Sequence, residues 1–337
     1  MTTPEVVSEE PGVIILIPAH NEVEYIKKTI SSIPKNIDLV LLINDGSTDF
    51  TEKIAEDEFI KSGRVIFEDS SSESKFIILN QVNLGVGAAV CNGLKHILEL
   101  DSNNKLETFF PNKNKWVVVI MDADGQMDPA DLPNLIEPLK SDSFDHVKGN
   151  RIGLKGMPII RKIGSFLLKR LMRLASGYPK INDTQCGYRA IKLEMIKMWN
   201  FNNSWDDFGY TNWWLLESGR RSFRLKEVSI NSIYNGKKSK LKVKSFLPSV
   251  SLLIFKKLWK RGWDWYVLGK GVESRLLRFT ISSLWFTSII SLFSILFLTK
   301  YWLILFGTSI LELFIIRKLD IKETERRMKV GKSPLII

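Results

Sequence analysis

Three short apolar runs rich in β-branched residues mark the first part of the chain: Val13 to Ile17, Leu39 to Ile43 and Trp116 to Met121. Each ends on its C-terminal side in a polar cluster, the pattern of strands buried on both faces of a parallel sheet. Glu22 to Ser32, Thr48 to Ile60 and Val86 to Leu100 have helical spacing. The resulting βαβα order predicts an open α/β sheet, which places ligands at the carboxyl ends of the strands. A further strand is predicted at His146 to Lys148. Phe223 and Leu225 alternate with Arg224 and Lys226 ahead of Val228 and Ile230, which is ordinary strand patterning. Ser70 to Ser74 reads as a polar surface insertion and Ser102 to Lys115 as a loop.

The pattern changes towards the other end. Phe279 to Leu298 is 20 residues without a charge, which at about 1.5 Å per residue crosses a hydrocarbon core of roughly 30 Å. Tyr301 to Ile316 is a shorter apolar run interrupted by Glu312. Basic residues flank both outer sides, Lys260, Arg261, Arg275 and Arg278 before and Arg317, Lys318, Arg326 and Arg327 after. Positive charge marks the cytoplasmic side, so a transmembrane helical hairpin with both flanks cytoplasmic is expected. Upstream, Phe246, Val250, Leu253, Ile254, Leu258 and Trp259 alternate with lysines and lead into Trp263, Trp265 and Tyr266. That composition suits an interfacial helix lying on an anionic bilayer. Ser283, Thr287 and Ser291 recur at helical spacing; they either form a close-contact stripe, which would favour a homo-oligomer, or bond their own backbone. Glu312 either faces protein or water, or reaches the interface. The expected organisation is an N-terminal tail at 1–11, an α/β domain at 12–244, an amphipathic interfacial segment at 245–275, two transmembrane helices at 276–318 and a basic cytoplasmic tail at 319–337.

Composition divides this picture by charge. With 337 residues, 45% hydrophobic and 25% charged, the chain buries a sizeable core in one or two domains. Its formal net charge of +11 conceals an acidic part, residues 1–150, with 13 Lys and Arg against 25 Asp and Glu, and a basic remainder with 35 against 12. The acidic part suits a bound cation and the basic part an anionic partner, nucleic acid or membrane. No nucleic-acid motif accompanies the charge, and much of it adjoins apolar runs, so nucleic acid is not the expected partner. Cys91 and Cys186 build no disulfide framework, which indicates a reducing compartment. The acidic start MTTPEVVSEEP is not a signal peptide.

The strand ends carry the candidate chemistry: Pro18-Ala19-His20-Asn21-Glu22, Asn44-Asp45-Gly46-Ser47 and Asp122-Ala123-Asp124-Gly125-Gln126. In the last, an extended Asp-x-Asp puts two carboxylates on one side of the chain, because side chains repeat with period two. Hard oxygen donors with room for water suit Mg²⁺ or Mn²⁺ bridging to phosphates; an Asp-rich turn without metal is the alternative. A calcium EF-hand loop fails because Gly125 stands at the fourth place and Pro133 where a bidentate Glu belongs. Asp128 before Pro129, with Asp131 as a reciprocal cap, starts a helix. Gly85 and Gly87 lack the third glycine of a dinucleotide fingerprint, no P-loop is present, and His20, His96 and His146 are too scattered for zinc.

Taken in order, IPAHNE (17 to 22), NDGSTD (44 to 49), NLGVGAA (83 to 89), MDADGQMDP (121 to 129), GNR (149 to 151) and DTQCGYRA (183 to 190) resemble glycosyltransferase family 2, in the branch of dolichyl-phosphate mannosyltransferases and bacterial polyprenyl-phosphate glycosyltransferases. The resemblance covers roughly residues 12 to 245. It implies the GT-A fold, an open, mostly parallel α/β sheet with flanking helices, here followed by the interfacial helix and the C-terminal hairpin. It also implies that Pro18, His20, Glu22 and Ile43 line the nucleotide pocket, that Asp45 contacts base or ribose, and that Asp122 and Ala123 sit beside ribose and phosphates. Asp124 and Gln126, with Asp122, would hold Mg²⁺ or Mn²⁺.

The basic part then meets an acceptor. Arg151 follows the strand at His146, while Arg161 and Ser165 lie four apart on a predicted helix, a cradle for phosphate or else a solvated basic face. The similar enzymes use such residues for a lipid phosphate. The resemblance implies direct displacement on a nucleotide sugar (UDP- or GDP-linked) by polyprenyl phosphate, with Asp122, Asp124 and Arg151 catalytic, inversion at the anomeric carbon and the catalytic domain on the cytoplasmic face of the cell membrane. A phosphate monoester is already ionised near neutrality, so no general base is required. Thr211 and Asn212 stand where hydroxyl-accepting relatives carry an acidic base, although Asp206 and Asp207 are nearby. In Ile233 to Lys240, Ser239 and Lys240 fit a donor-phosphate loop, but Tyr234 replaces an expected Arg and Gly236 comes one place early. Two alternatives are a family 2 enzyme adding sugar to a hydroxyl of a membrane glycolipid or polysaccharide, and a non-catalytic membrane adaptor.

Overall fold

The computed structural model describes residues 10–69, 71–141, 143–151, 159–201, 205, 209–231, 243–329 and 334–335, with the backbone alone at 159–165 and 243–247. Two compact units divide the chain: residues 1–156, 185–213 and 224–246 form the first, and 157–184, 214–223 and 247–337 the second.

The first unit is built on eight strands, β1 (Gly12–Ala19), β2 (Leu39–Asp45), β3 (Val65–Ile66), β4 (Lys75–Gln81), β5 (Trp116–Ile120), β6 (His146–Arg151), β7 (Arg189–Lys192) and β8 (Leu225–Ile230). They form one mixed sheet in the order β3-β4-β2-β1-β5-β7-β6-β8. Every residue of β1, β2 and β5 is buried, the burial that their unbroken apolar runs require. From β3 to β5 all pairings are parallel, as expected of strands joined by helices, whereas β7 runs antiparallel to both β5 and β6. The strand order reverses at β1, with β2 on one side and β5 on the other, so a crevice opens beyond the carboxyl ends of these three strands.

Helices follow where periodicity predicted them, at Ile26–Ser31, Thr51–Lys61 and Val86–Ser102. The last lies very close to the sheet: a Cβ on Gly93 would collide with Leu16 of β1 and come within 3.1 Å of Ile43 of β2. Other elements depart from the expectation. The segment read as a loop contains a short helix, Lys105–Phe109, because Leu106 and the adjacent Phe110 bury their side chains. Strand β4 was not anticipated, since Lys75 at its start is buried and its later residues are only half-buried. Asp128 does cap a turn, accepting from Ala130 N at 2.9 Å, but Asp131 accepts from Asn231 N at 3.1 Å rather than capping in return.

The second unit contains helix Ile159–Ser176, helix Val243–Gly262 from Leu247 onwards, a π-helical turn Trp263–Val267, and helices Arg275–Ser294 and Trp302–Lys329. The last two are antiparallel, with Ser288 Oγ 2.7 Å from Ser309 Oγ and Thr287 Oγ1 donating to Glu312 Oε1 at 2.9 Å. Thr287 of the Ser/Thr stripe therefore faces its neighbouring helix, and it also bonds Ser283 O at 3.0 Å. Among the described residues only Arg275–Ser294 is long and apolar enough to cross a membrane. The expected second span does not meet that measure, because Glu312 and the charges from Arg317 onwards share its helix with the apolar residues. That helix continues to Lys329 through the expected tail, with Asp320, Glu323, Thr324 and Arg327 buried.

Gly93→Val is expected to lower stability by about 2 kcal/mol through overpacking against β1 and β2. Thermal unfolding followed by tryptophan fluorescence measures it.

Candidate active site

The site begins with the register of β1 and β2, which sets Pro18 opposite Ile43 and Ala19 opposite Asn44. His20 then turns its ring over the end of β2. Its Nδ1 lies 2.7 Å from Asp45 O, an oxygen that only accepts, so this nitrogen carries the proton. Nε2 is left to accept, with Asn83 Nδ2 at 3.2 Å and Asn21 Nδ2 at 3.3 Å. His20 thereby ties together the turns after β1, β2 and β4. Glu22, buried beside it, donates its backbone N–H to Thr51 Oγ1 at 2.8 Å.

Asp45 makes hydrogen bonds within the fold. Oδ1 accepts from Gln81 Nε2 at 2.6 Å and Leu84 N at 2.8 Å, and Oδ2 from Gly85 N at 3.0 Å. A buried carboxylate with three donors anchors the loop that starts helix Val86–Ser102.

Asp122 and Asp124 follow the end of β5. Ala123 between them is buried, and its carbonyl accepts from Thr29 Oγ1 at 3.1 Å, which fixes the chain at this point. Asp124 Oδ1 accepts from Gln126 N at 3.1 Å in a tight Asx turn. Burial pushes the Asp122 carboxyl up to about 7; the charges of Asp124 and Glu22 add to the rise, while Arg151 and Arg189 oppose it. Among the described residues, no three His, Cys, Asp or Glu side chains gather as a metal cluster. Two repelling carboxylates still fit Mg²⁺ or Mn²⁺, which commonly take one or two from protein and the rest from substrate phosphate and water.

Strand β7 supplies the other wall. Arg189 is fully buried opposite Ile120, two residues before Asp122, and donates to Cys186 O at 2.6 Å. A Cβ on Gly187 would stand 3.0 Å from Tyr210 Oη and 3.4 Å from Asp122 Oδ2, so a side chain there would press on Tyr210 and touch Asp122. Tyr210 begins helix Tyr210–Arg220, and in its first turn Asn212 Oδ1 accepts from Gln185 Nε2 at 3.2 Å. Asn212 is fully buried. Sequence reasoning assigned no role to Gly187, Arg189 or Tyr210. The first two lie within a quoted motif, but Tyr210 looks like one more aromatic in the Trp-rich stretch Tyr210 to Trp214.

Of the expected residues, the structure brings together Pro18, His20, Ile43 and Asp45 at the ends of β1 and β2. Asp122, Ala123, Asp124 and Gln126 follow β5, and Arg151 ends β6 opposite Ile230 of β8. Arg161 and Ser165 lie on helix Ile159–Ser176, with their side chains outside the described residues. Asp206, Asp207 and the whole loop Tyr234 to Lys240, including Gly236 and Ser239, also lie outside them.

Comparison with known proteins finds a family model and relatives that match this chain. Residues 14–199, more than half of the chain, match the family model Glycosyl transferase family 2. The chain is 29% identical over 229 residues to the UDP-N-acetylglucosamine--dolichyl-phosphate N-acetylglucosaminyltransferase of Methanococcus voltae, covering 66% of this chain and 86% of that protein. It is 23% identical over 277 residues to Dolichyl-phosphate beta-glucosyltransferase ALG5D of Trichomonas vaginalis, covering 74% and 76%. The solved structure of glucosyl-3-phosphoglycerate synthase from Mycobacterium tuberculosis in complex with Mg²⁺ and uridine-diphosphate has a TM-score of 0.50 at 18% identity, over 74% of this chain and 79% of that one. At that identity the likeness speaks for the fold alone.

The raised Asp122 carboxyl fixes the sign of a pH effect. A carboxyl that ionises at about 7 when folded and 3.8 when unfolded binds its proton more tightly in the folded state, so this group subtracts stability progressively as pH rises between those values. In chelator the thermal midpoint should fall less between pH 5 and 7.5 for Asp122→Asn than for the unchanged protein. Mn²⁺ should raise the midpoint of the unchanged protein most at the upper pH, as differential scanning fluorimetry would record.

Proposed function

The chain belongs to glycosyl transferase family 2 and is a glycosyltransferase, and from that premise we propose that it moves a hexose from a UDP- or GDP-linked sugar to a polyprenyl or dolichyl phosphate at the cytoplasmic face of a membrane. The observation that carries this reading is the desolvated Asp122 with the charge of Asp124 close beside it, just beyond the end of β5. The acceptor class follows the names of the matched relatives, two of which are dolichyl-phosphate transferases.

Asp122 and Asp124, with Gln126, hold Mg²⁺ or Mn²⁺, and the cation when bound supplies neutralisation of charge on the departing diphosphate. Pro18, His20, Glu22 and Ile43 form the nucleotide side of the pocket, with Ala123 beside the ribose and Lys240 on the donor phosphates. Asp45 shapes that pocket from behind through the backbone of Leu84 and Gly85. Arg151, Arg161 and Ser165 hold the acceptor phosphate. One of its oxygens attacks the anomeric carbon, the bond from that carbon to the diphosphate breaks, and the nucleoside diphosphate leaves with the electron pair, inverting the configuration.

Asn212 supports an acceptor of this kind. It is a buried amide held by Gln185, and an amide takes no proton at neutral pH. A hydroxyl acceptor needs a base; a phosphate monoester, with a second pKa of about 6, does not. The bilayer reading rests on helix Arg275–Ser294, whose Phe279 and Phe293 are exposed, and on the exposed Leu252, Phe255 and Trp259 of helix Val243–Gly262; of the face expected to meet lipid, Val250, Leu253 and Ile254 are instead buried.

Full-length protein in detergent, given a panel of UDP and GDP sugars, should glycosylate a short polyprenyl phosphate and leave the matching polyprenol untouched. Asp124→Ala should reduce turnover by about 10² to 10³. Turnover on polyprenol equal to that on its phosphate would sink the proposal.

A further inference from the structure

Helix Ile159–Ser176 carries Arg161 and Ser165 in its first half, and its other end is held by groups from two further helices of the second unit. The last four carbonyls of a helix have no partner within it. Two of these, Arg173 O and Leu174 O, accept from Arg317 of helix Trp302–Lys329, Nη2 donating to the first at 3.0 Å and Nη1 to the second at 3.5 Å. A guanidinium at a helix C-terminus also meets the negative end of the helix dipole.

Arg317 is itself held in place. Its Nη1 lies 3.4 Å from Asp320 Oδ2, one turn along the same helix. Asp320 is buried and accepts from Arg261 Nη2 at 2.8 Å, Arg261 Nη1 at 3.2 Å and Tyr266 Oη at 2.6 Å. Arg261, from helix Val243–Gly262, reaches Thr324 Oγ1 at 3.0 Å and stacks 4.3 Å from the centre of the Trp265 ring. The residue after the acceptor helix, Gly177, has φ +81°, and a Cβ there would stand 2.5 Å from Arg261 Nη2. Only glycine both adopts that backbone and lets the chain pass directly over the guanidinium.

We propose that Arg317 is a positioning residue for the acceptor: helix Trp302–Lys329, through Arg317 seated on Asp320, fixes the orientation of the helix that presents Arg161 and Ser165 to the lipid phosphate. The proposal rests on the reading that these two residues hold that phosphate. An α-helix is stiff over this length, about 18 Å for the twelve residues from Arg161 to Arg173 at 1.5 Å each. A tilt released at one end therefore displaces the phosphate ligands at the other. The membrane-proximal helices then act as part of the acceptor site as well as an anchor.

The test uses full-length protein in lipid nanodiscs, with KM measured separately for a short polyprenyl phosphate and for the nucleotide sugar. Arg317→Gln should raise the acceptor KM about tenfold, the scale of a lost charge-assisted contact, and leave the nucleotide-sugar KM unchanged. Arg317→Lys, which keeps the cation and donors but loses the two-pronged grip, should give a smaller rise in the acceptor KM alone. Asp320→Asn, which frees Arg317 without removing it, should follow the Arg317→Gln pattern. An unchanged acceptor KM in Arg317→Gln beside a raised one in Arg161→Ala overturns the positioning role while leaving the acceptor reading intact. An unchanged acceptor KM in Arg161→Ala overturns the reading beneath it, and the proposal with it. Equal rises in both KM values for Arg317→Gln also overturn it, since they report a loosened fold rather than a displaced acceptor helix.

Discussion

Asp122 and Asp124 leave the end of β5 with the buried Ala123 between them, and their mutual repulsion is increased by burial and by Glu22. Such a cluster persists in a fold only if the surroundings hold it against its own electrostatics. Here β1, β2 and β5 are buried along their whole length, so their carboxyl ends cannot separate without exposing the core. Buried Arg189, opposite Ile120, and Arg151 at the end of β6 bring compensating charge. Gly187 leaves room for Tyr210 beside Asp122. The polar turns then complete the crevice, His20 fastening three of them and Asp45 anchoring the loop at Leu84 and Gly85.

The second unit solves a different electrostatic problem. Its cations are drawn inward against a smaller number of carboxylates: Glu217 meets Lys257, Arg220 and Arg221, Asp264 meets Arg220, and Asp320 meets Arg261 and Arg317. Replacing a buried ion pair by apolar residues is often neutral, but removing one partner strands the other at a cost of about 3–5 kcal/mol. These networks therefore contribute little as stability gains and a great deal as constraints on register. Each pair is directional and joins one turn of a helix to one turn of another, which the exposed phenylalanines of Arg275–Ser294 do not.

The residues that made the first unit legible were those whose pattern is local. Unbroken apolar runs announced β1, β2 and β5, and the polar segments after them announced the crevice, because both follow from burial of neighbours in sequence. Strand β7 escaped notice, since four residues flanked by polar and aromatic positions have no period, and its direction is set by strands distant in the chain. Arg189 and Tyr210 gained meaning only from that placement. Asp45 shows what tertiary contacts add: its motif is legible, and its carboxylate also accepts from Gln81, Leu84 and Gly85, whose approach depends on the fold. In the second unit, hydropathy located one helix long and apolar enough to cross a membrane, and residues 319–329 of the expected basic tail belong to helix Trp302–Lys329. Arg327 there donates to Ser222 Oγ at 3.0 Å and Gly271 O at 2.9 Å, partners that periodicity cannot reveal.

The account turns on a phosphate oxygen displacing a nucleoside diphosphate at the anomeric carbon, with no proton taken by the protein. Nuclear magnetic resonance of the lipid product formed from a carbon-13-labelled nucleotide sugar and a short polyprenyl phosphate reads that bond directly. The account predicts coupling between the anomeric carbon and the acceptor's phosphorus, with the anomeric configuration opposite to that of the donor. Retained configuration, or a sugar joined through a hydroxyl oxygen without phosphorus coupling, would contradict it.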